Sequence, residues 1–207
     1  MSHTTHWRRG QLLLSLVAAA ATLPVSRRAE GQALDPKAAV VVRDAFLADM
    51  ETVHGKVVAL ARAIPEDKYG WRPTPEVRTV SNLLLHIAME WYYSFPAAVG
   101  GKVTGEWPDF LEARSKLFAI TAKQDVLDQL DRGWAYGHAH VVAATGPQLL
   151  TARLDSVLRA VRVPVPADTP PMSFQMGLMW QAGDQHEHLG QLITYARSVG
   201  VVPPWSK

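Results

Sequence analysis

The stretch Trp180-Gln181-Ala182-Gly183-Asp184-Gln185-His186-Glu187-His188-Leu189-Gly190-Gln191 decides how the chain is read. It lies inside an apolar-periodic run from Ser173 to Val199, which Gly200 and the Pro203-Pro204 pair bring to a stop. Read as helix, Asp184 and His188 fall one turn apart on one face, separated by about 40° around the axis. His186 is about 200° from each and points away. The His186-Glu187-His188 run is no chelate on a regular helix, because rings two residues apart diverge. It also lacks the His-Glu-x-x-His spacing of zinc proteases.

Three further long helices are expected upstream. Residues 36–64 repeat apolar side chains at three- and four-residue spacing, with Asp35 as N-cap, Pro36 in the first turn and Pro65 as the stop. A loop with three prolines follows, and its Tyr69 and Trp71 are expected to pack on the core. A second helix starts near Val80, capped by Thr79 or Ser81, and runs to Phe95, with Pro96 and Gly100-Gly101 ending it. A short helix fits residues 109–119, a third long one 125–144, and a further piece 149–161. The prolines at 164, 166, 170 and 171 then make an extended connection. No useful strand alternation occurs. The expected fold is therefore all-α, a four-helix bundle with an extended connection before the last helix.

Composition narrows the chemistry. The 207 residues are 48% hydrophobic, enough for a sizeable core, and contain no cysteine. That excludes disulfides, thiolate metal sites and cysteine catalysis, so any metal must be held by His, Asp or Glu. The formal charge of +2 suggests an affinity for nucleic acid, but its location decides otherwise. Residues 1–33 read as a signal peptide: Arg8-Arg9, an apolar run from Leu12 to Leu23, then Gly31-Gln32-Ala33 as a small-residue exit. Paired arginines before the apolar run also fit the twin-arginine type. The run is too short for a comfortable membrane span, which takes about 20 residues. The leader holds four of the 21 basic residues and one of the 19 acidic ones, leaving 17 against 18 in residues 34–207. The mature chain is close to neutral and carries no Lys/Arg cluster, so no nucleic-acid partner is expected. An exported protein, periplasmic or extracellular, is expected instead.

Among the histidines of the mature chain, His86 stands within Leu83-Leu84-Leu85-His86-Ile87-Ala88-Met89, a setting that buries a polar ring or places it at a cleft. His138 and His140 are two residues apart and read as structural, and nothing selects His54. An Asp184/His188 pair facing His86 gives a two-histidine, one-carboxylate set suited to a divalent transition metal with open positions. His186 is the alternative ligand, and Gln191 stands three residues after His188 as a supporting contact. No general base is clearly nominated and the catalytic residues stay open; Gln191 cannot be a base, and Glu90 and His186 are weak candidates. No nucleophile elbow, phosphate loop or dinucleotide fingerprint occurs.

Three segments together resemble the DinB/YfiT-like superfamily. They are Ile64-Pro65-Glu66-Asp67-Lys68-Tyr69-Gly70-Trp71-Arg72-Pro73, Val80-Ser81-Asn82-Leu83-Leu84-Leu85-His86-Ile87-Ala88, and His188-Leu189-Gly190-Gln191-Leu192-Ile193-Thr194-Tyr195-Ala196-Arg197. The resemblance implies a four-helix bundle, often a homodimer, with a metal held by one histidine of the second helix and two of the fourth. Carried onto this chain, those positions are His86, Asp184 and His188, so Asp184 stands where the family commonly has histidine. Asp remains a competent ligand for zinc, nickel, iron or manganese. Characterised members of the family are metal-dependent transferases using small thiols, with some hydrolase-like and isomerase activities. Thiol transfer belongs to the cytosol, and the leader argues against it. The expectation is an exported metal-dependent enzyme, hydrolase or transferase in type, acting on a small-molecule substrate. The alternative is a non-catalytic helical module, binding a small ligand or a partner, with a degenerate metal site.

Overall fold

Asp35 starts the first helix, its Oδ1 accepting the Ala38 amide at 2.7 Å with Pro36 as the first helical residue. The computed structural model describes residues 35–99, 102, 109–151 and 173–206, with positions 153, 155, 158, 159, 162, 164, 165 and 167 between the last two stretches. The leader lies outside the described residues, as does the proline-rich connection except at Pro164, Val165 and Ala167.

Among the described residues the helices with defined bounds are, in order, α1 (Pro36–Ala63), α2 (Val80–Tyr92), α3 (Ser94–Ala98), α4 (Phe110–Leu117), α5 (Lys123–Ala143), α6 (Gly146–Thr151) and α7 (Phe174–Ser198). The four long ones close a ring: α1 packs on α5 and α7, and α2 packs on the same two from the other side. This is the all-α bundle expected from the periodicity. Among the described residues no helix is long and apolar enough to cross a membrane.

Two boundaries differ from expectation for identifiable reasons. The second helix stops at Tyr92, and a separate turn, α3, carries Phe95 and Pro96. A proline ring collides with the carbonyl four residues earlier, which here is Tyr92. The chain therefore bends at Tyr93, and Pro96 falls in the first turn of a new helix, where its missing N–H is harmless. Gly146-Pro147 does not merely stop α5; it opens α6. That helix covers Gly146–Thr151, and within the expected 149–161 piece the described positions Asp155, Leu158 and Arg159 are helical too.

Helix ends are tied to neighbouring elements. Lys123 donates to the Arg62 and Ile64 carbonyls, both at 2.7 Å, at the end of α1. Arg43 donates to Val142 and Ala144 carbonyls at the end of α5. In both cases a cation meets the negative end of a helix dipole. The loop after α1 is pinned as its aromatics suggested: the buried Tyr69 donates to the Ala61 carbonyl at 2.7 Å, and Trp71 meets Tyr195 edge-on.

α2 is the central element. Every residue in it except Asn82 and His86 is buried, the pattern of a helix enclosed on all sides. Its approach to α5 depends on two glycines. A Cβ at Gly133 would lie 2.6 Å from the Ala88 carbonyl oxygen, and one at Gly137 would strike the Trp91 carbonyl and ring. Both obstacles include α2 backbone, which cannot swing aside.

Gly133→Ala and Gly137→Ala should therefore each destabilise the fold by about 1–3 kcal/mol in urea unfolding, the usual cost of overpacking. Gly55→Ala, in the interior of α1 with open space around it, should stabilise by up to about 1 kcal/mol. Neutral changes at Gly133 and Gly137 would contradict the close α2–α5 contact.

Candidate metal centre

α7 carries an unusual core-facing seam. Phe174, Gly177 and Leu178 are buried at its start and Leu189, Leu192 and Ala196 towards its end, but between them the buried positions are Gln181, Gln185 and His188. These three recur at four- and three-residue spacing and so face one direction. Opposite them on α2 stand His86 and Glu90, also one turn apart. Two stretches of polar helix thus meet inside the bundle. Each buried polar group must find a partner there or destabilise the core.

His86, His188 and Gln185 share one partner, Glu90. His86 Nε2 and His188 Nε2 each lie 3.3 Å from the same carboxylate oxygen, Glu90 Oε1. The other oxygen accepts a hydrogen bond from the Gln185 side-chain amide. Asp184 Oδ1 is 3.4 Å from His188 Nε2, and the two imidazole rings stand edge-to-face with centroids 4.8 Å apart. The side chains of Glu90 and His188 are only 7% and 9% exposed, while His86 at 22% and Asp184 at 27% reach toward a cavity.

Burial sets the protonation states. It lowers the His86 pKa to about 3, helped by the positive charges of Arg78 and His188, so this ring is neutral with a free lone pair. Burial raises Glu90 to about 7, against the pull of His188. For His188 burial works against protonation, but the hydrogen bond and charge of Glu90, with Asp184, outweigh it and leave the pKa raised. Glu90 and His188 therefore hold a proton between them.

The donor set fits a metal ion. One atom each from His86, Glu90 and His188 lie within 4.8 Å of one another. Ligand atoms bound at about 2.0–2.1 Å in a tetrahedron stand about 3.3–3.4 Å apart. The two Nε2–Oε1 separations, and that from His188 to Asp184, have this length. Two imidazoles and carboxylates are a borderline, nitrogen–oxygen set suited to zinc, iron, nickel or manganese.

Residues 49–192 match the family model of the DinB superfamily. The chain belongs to the DinB superfamily. No curated protein matches the sequence.

Of the residues picked from the sequence of this DinB-superfamily chain, His86 and His188 come together, and Asp184 stands beside them at the cavity. The compact group of three, however, takes its carboxylate from Glu90. Glu90 stands one turn from His86, the same spacing that singles out Asp184 and His188 in the sequence. His186 faces away, half exposed, with its Nε2 2.9 Å from Asp49. Gln191 donates to the Tyr195 hydroxyl at 2.8 Å, and that hydroxyl to the Arg78 carbonyl, so its bond runs along α7 and not to a ligand. The glutamine that supports the cluster is Gln185.

The remaining histidines among the described residues are engaged elsewhere. His138 faces Glu51, and His140 bonds the Tyr136 carbonyl. His54 stacks on Trp134 with centroids 4.1 Å apart. Burial, then the charge of His138, lowers its pKa to about 4. An unfolded histidine titrates near about 6.5, so between pH about 6.5 and about 4 the unfolded chain binds the extra proton. This contribution to stability is present above pH about 6.5 and is lost as the pH falls toward 4. Unfolding free energy measured against pH should fall less steeply across that window in His54→Phe than in the unmodified chain. Identical slopes would contradict the burial of this ring.

Proposed function

We propose that the chain is an exported metal-dependent enzyme of hydrolase or transferase type, with a divalent ion held by His86, Glu90 and His188 and with Asp184 as a fourth donor or working carboxylate. The observation that carries the reading is the convergence of two histidine nitrogens on one buried carboxylate oxygen at tetrahedral edge length. A buried carboxylate facing two imidazoles is costly as a purely structural device. It is economical as a site that trades its shared proton for a cation.

A divalent ion in this position would supply Lewis-acid polarisation of a substrate oxygen or a lowered pKa for a water molecule. The chain's own residues do the rest. His86 is held neutral by burial, with its Nε2 facing the site. Gln185 fixes one Glu90 oxygen, leaving the other aimed at the two imidazoles. Asp184, at the cavity wall and partly exposed, is the carboxylate placed to accept a proton from an incoming molecule. Phe110, Met89 and Trp180 form the apolar part of the same wall and limit access of water. Export is argued from the leader pattern of residues 1–33, a basic pair before an apolar run and a small-residue exit.

The test is metal content. The chain purified without a polyhistidine tag, then exposed to zinc, nickel, iron(II) or manganese and desalted, should retain about one ion per chain. It should also gain thermal stability from that ion. His86→Ala, Glu90→Ala and His188→Ala should each lose the ion, whereas His186→Ala should keep it. Protein that retains no ion and whose stability no ion alters would overturn the reading in favour of a non-catalytic helical module.

A further inference from the structure

The cavity beside the converging ligand atoms has a second, unused polar group. Gln181 is 1% exposed, and its side-chain oxygen is buried without a hydrogen-bond partner. An acceptor left in this state is destabilising unless something donates to it. The residue lines the cavity together with His86, Glu90 and Asp184. Among the described residues, the rest of the wall is Met89, Ser94, Phe110 and Trp180. Trp180 keeps 48% of its surface exposed, an unusual outlay for a large apolar ring beside a core. The cavity measures about 170 Å3. Apolar cavities of roughly 150 Å3 accommodate benzene.

From these features we infer that the cavity binds a small uncharged molecule with one ring-sized apolar body and an N–H or O–H group, the body lying against Phe110 and Trp180 and the donor bonding to Gln181 Oε1. The reading deepens the metal-centre proposal, on which it rests for the end of the ligand that faces the chemistry. Charge agrees with an uncharged ligand. Two carboxylates, Glu90 and Asp184, balance a divalent ion, and an anionic group would face both of them and the Gln181 oxygen. Arg78 and Arg114, which act on His86 through their charge, are not part of the cavity wall.

Benzyl alcohol and benzyl methyl ether separate the donor from the apolar body. Their affinities for the full chain are measured by ligand-observed NMR titration, with zinc present and again after chelation by EDTA. The alcohol should bind about tenfold more tightly than the ether, the usual consequence of leaving a buried acceptor unpaired. Gln181→Met should bring the two affinities together, and Trp180→Ala should weaken both. Equal affinities in the unmodified chain, a preference that survives Gln181→Met, or no binding of either compound would overturn the inference. The EDTA arm keeps the two readings apart. A preference that persists in a chain unable to hold zinc retains the cavity assignment and discards the metal centre. Zinc binding without the preference does the reverse.

Discussion

A carboxylate buried in a helical core is the constraint around which this protein is arranged. Glu90 sits on a helix enclosed by apolar neighbours, where an unpaired charge would be prohibitively costly. Its oxygens are instead met from two helices, by His86 of α2 and by His188 and Gln185 of α7. This requirement explains the polar positions Gln185 and His188 in the core-facing seam of α7, which then returns to Leu189 and Leu192. It also ties the second and last long helices together at the point where chemistry is available.

The opposite side of α2 is governed by size. Gly133 and Gly137 let α5 approach the α2 backbone at Ala88 and Trp91. Glu90 lies between those two positions in sequence, so the close packing that seats Trp91 also fixes the carboxylate. Trp91 in turn stacks on Phe95 at 3.6 Å and meets Trp134 edge-on. The bend at Tyr93, forced by Pro96, brings Phe95 back over the tryptophan. Glycine contact on one side, aromatic stacking behind and a polar pairing in front leave the His86–Glu90 turn little freedom, which is what a preorganised ligand set requires.

Much of this was legible in the sequence because it depends on local chemistry. Asp35 and Thr79 cap α1 and α2 as their side chains suggest, and Ser173, at the expected start of the last helix, caps α7. The apolar spacing in residues 36–64 and 173–199 identified α1 and α7 nearly to their ends. His86 was conspicuous as a ring inside a leucine run, and Asp184 with His188 by one-turn spacing. Glu90 was harder to find. It is surrounded by Met89, Trp91 and Tyr92, and only the packing of α2 against α7 reveals that it faces the histidines. The role of Gln185 was hidden for the same reason, since its partner lies on a distant helix. The break between α2 and α3 was misplaced because Pro96 acts four residues upstream of itself, at the Tyr92 carbonyl.

The central claim concerns which atoms converge on one point, and anomalous diffraction from crystals of the zinc-treated chain tests it most directly. The account predicts one strong zinc-edge peak within bonding distance of His86 Nε2, His188 Nε2 and a Glu90 oxygen. A peak at His186 and Asp49 instead, or none between α2 and α7, would contradict it.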